Sequence, residues 1–517
     1  MRRNVKLVSL AILAIMIAAL TACSSNNNNG EASSAAPTGS NANASASAPA
    51  SSQNELTKDP YEITVAMPVL GAVPADIGLV QDEISKITKE KINATVKLMP
   101  ISIGAYTQQL NLMSSSGEKL DAYVNLGANY NADVAAGKYV ELDELLDKYG
   151  QDLKSQFDPV YLSSTKIDGK TYGVPVLKDY TTGQGGFAMR KDLVDKYKID
   201  LASIKSMDDM DKVFQTIKDN EPNITPLGVG LSGPLSQLVW FDKLGDKYGV
   251  LPGFDNGLKI ENLYESQEYA DTLNIMHRWF KAGYISKDAA TSQTSTSDLV
   301  KADKAFAYWL MSKPGGLEGE MRMAGKELVF APVTEGVYST TSDTLLGIWG
   351  ISVNSKNPER TMMFMNLLYS DPAIANLMQW GIEGKHYVKT SDTSVDFPSG
   401  VTVQTVGYSN QAWLIGNPFI TFTFKGEPLD KWEQVKQANA NALKSKALGF
   451  LFNSEPVKNE ITALNNVRTQ YEKILETGTV DPADKLEEFN KKLKAAGIEK
   501  VITEKQKQLD AWAAANQ

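Results

Sequence analysis

Apolar side chains return at two different periods along this chain, and the order of those periods predicts its elements. Ile63, Val65 and Met67 alternate with polar positions as a strand does, and Pro68 and the 71–74 loop end the run. Ile77, Val80, Ile84 and Ile87 then recur at helical spacing. A strand over 94–99, a helix over 106–114 and a strand over 122–126 continue the alternation. Strand, helix, strand, helix, strand is the order of a parallel sheet with crossover helices. The loops 69–74 and 127–131 would then open at carboxyl ends of strands, where open α/β sheets hold ligands.

The pattern changes register over 167–190. Gly173-Val174-Pro175-Val176 reads as extended, 182–186 as a Gly-rich turn, and 186–190 as extended again. Helices are predicted over 191–197 and 206–218, the second opened by a Ser206/Asp209 capping pattern. A strand at 226–231 and helices at 235–244 and 267–282 suggest a second α/β lobe. Strands at 305–311 and 328–333 follow, and the latter returns the chain toward the first lobe. A strand at 346–353 leads through Pro358 into helices at 359–369 and 372–380. Residues 385–430 read as irregular β structure, and the chain is helical and charged from Leu429 onward. Phe489 and Leu493, and then Leu509 and Trp512, share helix faces.

The head of the chain is of another kind. Arg2, Arg3 and Lys6 precede an apolar run over 7–20, which is too short for a comfortable membrane span of about 20 residues. Leu20-Thr21-Ala22-Cys23 closes it and resembles a bacterial lipobox, with Cys23 diacylated as the first residue of the mature chain. Cys23 is the single cysteine among 517 residues, so the protein is expected to work without disulfides. Residues 24–58 are Ser, Asn, Ala, Gly and Pro with few large apolar side chains, the composition of a flexible tether.

Composition narrows the chemistry. Hydrophobic residues make up 42% and charged residues 22%, as in soluble globular proteins. The formal charge of −9 becomes about −12 without the three signal cations, which disfavours nucleic acid as a partner. Two histidines, His277 and His386, are too few for a zinc or copper site, and no HExxH, CxxC or GxSxG occurs. His277 reads as structural, and His386 as a weak ligand candidate in a loop. Gly228-Val229-Gly230-Leu231-Ser232-Gly233 matches a dinucleotide loop, but Pro234 follows and the motif lies deep in the chain. It reads as a tight strand–helix turn. Paired carboxylates for glycoside cleavage are a matter of spacing in three dimensions, which sequence does not supply.

The aromatic residues are more informative. Of eight tryptophans, Trp279, Trp432 and Trp512 sit among apolar helical neighbours and read as core. Trp240, Trp309, Trp349, Trp380 and Trp413 lie near element ends or Gly-rich turns. Each can be a buried core residue or a flat face against the C–H face of a sugar ring.

The chain resembles the extracellular solute-binding lipoproteins of ABC importers, family 1, in a longer Gram-positive subgroup. The resemblance rests on the lipobox, the Ser/Asn leash, Lys170-Thr171-Tyr172-Gly173-Val174-Pro175 and Met189-Arg190-Lys191-Asp192-Leu193. It rests further on Asn357-Pro358-Glu359-Arg360, Gly381-Ile382-Glu383-Gly384-Lys385-His386-Tyr387, Leu448-Gly449-Phe450 and Leu493-Lys494-Ala495-Ala496-Gly497-Ile498. It implies a two-lobed, type II periplasmic-binding-protein-like α/β fold with an interlobe hinge, a ligand cleft and a helical C-terminal extension. The expected division is signal peptide 1–22, lipidated Cys23 and linker 23–58, lobe one 59–185, lobe two 186–327 and a return to lobe one over 328–400. Residues 401–517, β-rich then helical, would complete lobe two.

What this implies functionally is capture of an extracellular carbohydrate, an oligosaccharide, by lobe closure, and delivery to ABC permease subunits. No catalysis, metal or cofactor is expected. The protein would be a monomer on the outer face of the cell membrane, anchored through Cys23. Other readings are the same fold binding a peptide or other solute or serving a sensor kinase, and a surface glycan-degrading enzyme. The pocket is expected to draw on Asn129 and Tyr130 after the third strand and on Asp179 and Tyr180 before the interlobe strand. Trp240, Trp309 and Trp349 would supply stacking, and Tyr408 and Trp413 a rim. Arg190 would hold a ligand carboxylate or hydroxyl pair, or make an interlobe salt bridge.

Overall fold

The computed structural model describes residues 55–516 apart from 71–72, 128, 231–240, 335 and 404. The signal segment, Cys23, most of the linker and Trp240 lie outside the described residues. Strand β1 (Tyr61–Val69) is buried from Ile63 to Val69, as a strand covered on both faces must be. It leads into helix α1 (Ile77–Ile92), strand β2 (Ala94–Ser102), helix α2 (Ile103–Ser116) and strand β3 (Ala122–Asn125). β1 pairs in parallel with both β2 and β3, which is the sheet that the alternating periods predict.

After β4 (Val174–Pro175) the chain crosses to the second lobe and enters β5 (Gln184–Arg190). β6 (Thr225–Leu227), helix α3 (Gln267–Lys281), β7 (Ala305–Ser312) and β8 (Leu328–Pro332) follow, and the chain crosses back into β9 (Ile348–Ile351). Helices α4 (Pro358–Ser370) and α5 (Pro372–Trp380) then pack on lobe one. The last stretch holds α6 (Lys431–Asn441), α7 (Lys458–Glu476), α8 (Pro482–Ala496) and α9 (Ile498–Asn516). Lobe one is a five-stranded sheet in the order β2-β1-β3-β9-β4, and lobe two a four-stranded sheet in the order β8-β5-β7-β6.

The strand at 328–332, expected to open the return to lobe one, pairs with β5 in the sheet of lobe two, so the return begins after it. Two local expectations also need correction. Phe241–Asp242, expected within a helix, is a strand paired antiparallel with Leu251–Pro252. Ser206 does not cap the following helix, which begins at Met210. The Asp209 carboxylate instead accepts from the Lys205 and Ser206 amides and the Ser206 hydroxyl, closing the loop before the helix.

Each lobe has its own core. In lobe one Val65, Val96, Val124, Trp349, Met362 and Phe364 pack together between sheet and helices. In lobe two Phe187, Phe214, Trp279 and Trp309 form a nest of edge-packed rings, with Phe306 and aliphatic neighbours beside it. Residues 401–517 serve both. Tyr408, Leu414 and Ile415 join the first core, whereas Leu464, Phe489, Leu493 and Val501 from α7, α8 and α9 join the second.

Arg360 explains why a cation stands in the Asn357-Pro358-Glu359-Arg360 motif. It is 1% exposed, and its Nη1 donates to the carbonyls of Ile92 at 2.8 Å and Asn93 at 3.0 Å. The Ile92 carbonyl is an orphan acceptor at the end of α1, whereas that of Asn93, which turns left-handed with φ of 47°, also accepts from the Tyr61 amide at 3.2 Å. Arg360→Met keeps the length of the side chain but removes the guanidinium from both and leaves the Ile92 carbonyl bare. It should lower unfolding free energy by about 2–3 kcal/mol, read as a fall in the urea midpoint. An unchanged midpoint would mean that water replaces the guanidinium at no cost.

Candidate functional site: the space between the lobes

The strand registers aim both sheets at one place. Ile348, at the start of β9, pairs with Asn125 at the end of β3 and with Pro175 at the end of β4. In lobe two, Gln184 at the start of β5 pairs with Ser312 at the end of β7. The carboxyl ends of β3 and β7 therefore face the two crossings, 176–183 and 333–347.

A third segment, 442–450, runs beside them. Val176 donates its amide to the Gly347 carbonyl at 2.9 Å, and Thr182 donates to the Tyr338 carbonyl at 2.7 Å. Leu443 and Ser445 donate to the carbonyls of Val337 and Ser339 at 3.0 and 2.9 Å. The hinge is thus a narrow ribbon with its backbone groups paired, flanked by two concavities.

The larger concavity holds about 1070 Å³ of open space. Leu126, Gly127 and Asn131 of lobe one face Leu244, Gly245 and Asp246 of lobe two across it, with Thr341, Ser342 and Phe450 in the floor. The smaller is a narrow recess of about 20 Å³, lined by Thr182, Phe241, Asp242, Phe254, Asn256, Tyr338, Thr340 and Ser445. Ionic groups crowd the ribbon. Lys178 donates to the Asp343 carbonyl, and desolvation, aided by the charge of Lys313, pushes its ammonium down to about 8. Lys313 in turn pairs with Asp179 at 3.2 Å. Burial pushes the carboxyls of Asp242 and Asp343 up.

Against this geometry the expected site residues divide. Asn129 is exposed beside Gly127 and Asn131, at the edge of the larger concavity. Asp179 lies on the first crossing, where its carboxylate also accepts from the Thr181 amide and hydroxyl. Trp413 is half-buried, and its carbonyl lies 2.8 Å from where a Cβ on Gly347 would stand, so the second crossing approaches it closely.

Others are walled off. Tyr130 is buried and donates its hydroxyl to the Thr165 carbonyl at 2.8 Å. Tyr180 packs on Tyr161 and donates to the Val176 carbonyl, and Tyr408 donates to the Met378 carbonyl at 2.7 Å. Trp349 is fully buried in the core of lobe one. Trp309 stands edge-on to Phe187 in the core of lobe two, 8% exposed. Arg190 lies at the end of β5 remote from the hinge. It pairs with Asp192 and Asp303 of its own lobe, both at 2.6 Å, so it neither faces the cleft nor bridges the lobes.

Sequence reasoning missed the recess. Its residues sit on short strands and irregular turns where no period singles them out, and the one local signal is the Phe-Asp-Asn-Gly turn over 254–257. Gly228 and Gly230 also acquire a role. A Cβ on Gly228 would stand 2.8 Å from the Ala305 side chain, and one on Gly230 would stand 2.8 Å from the Thr294 carbonyl. These glycines let the exit of β6 pack closely, with Val229 buried between them; residues 231–233 lie outside the described residues.

The model of the family described as bacterial extracellular solute-binding protein matches residues 84–396. The chain belongs to that family. A second model, a domain of unknown function (DUF3502), matches residues 446–514 of this solute-binding protein. A carbohydrate ABC transporter substrate-binding protein of Streptococcus pneumoniae is 31% identical, covering 87% of this chain and 90% of its own. The polygalacturonan/rhamnogalacturonan-binding protein YtcQ of Bacillus subtilis is 24% identical over 60% of this chain and 64% of its own. Among solved structures, the N-glycan transport solute-binding protein NgtS of S. pneumoniae superimposes with a TM-score of 0.76 at 29% identity. That match covers 89% of this chain and 100% of the other. NgtS in complex with Man5GlcNAc superimposes at 0.63 with 30% identity, over 89% and 100%.

In this solute-binding protein His386 has a positioning role. It is buried, and its Nδ1 accepts from the Ile382 amide at 2.9 Å, so Nε2 carries the proton and donates to Asp76 at 3.1 Å. Asp76 closes the loop after β1 and is also held by Lys385 at 3.2 Å. The hydrogen bond from His386, with Lys385 beside it, holds the Asp76 carboxyl below the usual carboxylate range. The unfolded chain therefore takes up this proton more readily than the folded one. The stabilisation is complete above the ordinary carboxylate pKa of about 3.9 and fades as pH falls through the lower folded value. Asp76→Asn should melt earlier than the parent at pH 7, and the two curves should converge in thermal melts taken down toward pH 3. A gap independent of pH would refute the carboxylate's role.

Proposed function

We propose that this chain is the solute-capturing component of an ABC importer, held on the outer face of the cell membrane by lipid on Cys23. It takes a carbohydrate, an oligosaccharide, into the space between its lobes and delivers it to permease subunits. The observation that carries this reading is a solvent-open interlobe concavity of about 1070 Å³, bordered by both lobes and floored by a ribbon of chain crossings. The chain around it is 31% identical to a carbohydrate ABC transporter substrate-binding protein.

Closure follows from differential contact: solute that touches both lobes favours the closed setting only by what it gains there. NgtS superimposes at 0.76 in one structure and at 0.63 with Man5GlcNAc bound, which supports lobes that take more than one setting. The protein acts as a monomer and leaves its solute intact. No group of His, Cys, Asp and Glu able to hold a metal ion occurs among the described residues.

Calorimetric titration with mannose- and N-acetylglucosamine-containing oligosaccharides, oligogalacturonides and oligopeptides tests the reading. One glycan class should bind with unit stoichiometry and be recovered unchanged by mass spectrometry. At 100 times its dissociation constant that glycan should add about 2.7 kcal/mol to stability, a rise of a few degrees in Tm. Binding of peptides alone would retire the carbohydrate assignment, and shortened glycan would retire the non-enzymatic one.

A further inference from the structure

We propose that Lys505, on the last helix, is a positioning residue for solute capture. It holds Asp246 at the lobe-two edge of the larger concavity, where that carboxylate accepts a hydrogen bond from the solute. The inference rests on the capture reading above and adds to it a task for the C-terminal segment 446–514, the part matched by the domain of unknown function.

Lys505 is fully buried in α9. Its Nζ lies 2.6 Å from Asp246, donates to the Gly249 carbonyl at 3.0 Å and stands 4.9 Å from the centre of the Phe452 ring. Gly249 permits the approach: a Cβ there would stand 3.2 Å from the Ile502 side chain and 3.7 Å from that of Lys505, both on one face of α9. A buried ion pair is a weak source of stability, because desolvation offsets much of the attraction. Burial pushes the Lys505 ammonium down, against the opposing charges of Asp246 and Asp242. What the pair supplies is place. Oδ1 of Asp246 accepts from Lys505 and, at 2.7 Å, from the Tyr248 amide. The other oxygen accepts no hydrogen bond from the described residues. The side chain is 19% exposed on the wall of the concavity, across from Leu126, Gly127 and Asn131 of lobe one.

The loop that carries Asp246 is strained. Leu244 stands at φ of 47°, a left-handed setting that a branched side chain adopts only where its surroundings impose it. Two acids fasten the loop: Asp242 accepts from the Leu244 amide at 3.0 Å, and Asp246 from the Tyr248 amide beyond it. Lys505 is the cation these acids share, in contact with Asp246 and close enough for its charge to bear on Asp242. Other nearby cations have partners of their own. Lys247 pairs with Glu472 at 2.6 Å, and Arg468 lies over the Tyr248 ring, 5.4 Å from its centre. Without Lys505 the turn is free to relax and Asp246 to leave the wall.

Hydrogen exchange on the intact protein at pH 7 reads the positioning, and calorimetry with a mannose–N-acetylglucosamine oligosaccharide reads its consequence. In Lys505→Met the amides of Asp246 and Tyr248 should exchange roughly tenfold faster, with those of the lobe-two sheet unchanged. Asp246→Ala should weaken the glycan roughly tenfold and Lys505→Met about as much, and the double variant should lose no more than either alone. A merely structural role for Lys505 would add its loss to that of Asp246→Ala. Lys505→Gln gives both readouts should the methionine variant fail to fold. Unchanged exchange overturns the positioning. Faster exchange with glycan affinity intact overturns the part of Asp246 in capture while leaving capture itself standing. A parent protein that binds no glycan overturns the capture reading, and this inference with it.

Discussion

The structure depends on how three crossings of the chain are held together while remaining few enough to bend. Asn439 is the knot. Its side-chain oxygen accepts from the Tyr180 amide and its nitrogen donates to the Lys178 carbonyl, both at 2.8 Å, which ties the end of α6, just before the third crossing, to the first. Its own carbonyl accepts from Tyr161, whose hydroxyl also lies 3.0 Å from Ser339 on the second crossing. A buried network of this kind is strong when every member is satisfied and costly when one is not. One amide and one phenol thereby make three separate passes of chain behave as a single ribbon.

That arrangement explains why the C-terminal third cannot be a detachable cap. Residues up to α6 finish the core of lobe one, the 442–450 strip forms the third pass of the hinge, and α7, α8 and α9 finish the core of lobe two. The family model for residues 446–514 begins within this strip, at the hinge, whereas the model for residues 84–396 ends before it.

Much of the fold was legible because its signals are periodic. The strand–helix alternation from Tyr61 to Asn125 reports burial directly, since a covered strand must be apolar along its length and a packed helix on one face. The site was less legible for the same reason. Trp309 and Trp349 lie near element ends and read as exposed platforms, but a tryptophan on a central strand faces whatever the neighbouring strands require, and here both face cores. Arg190 read as a ligand or bridging residue because Asp303 lies far away in sequence and joins Asp192, two residues on, only in the fold.

The same economy accounts for where accessible aromatic surface survives. Regular elements have their apolar faces claimed by the two cores, so a ring that is to meet solute must come from chain outside them. Phe254 stands on a turn, Phe241 on a two-residue strand and Tyr338 on the hinge itself, and none has a full set of core neighbours. Placing Tyr338 and Thr182 on the crossings has a mechanical consequence as well. The backbone bond from Thr182 to Tyr338 is part of the ribbon that must flex, and residues of the hinge and of lobe two line the recess together. A change in the setting of the lobes therefore reaches the packing of these rings directly, with no further residues needed to relay it.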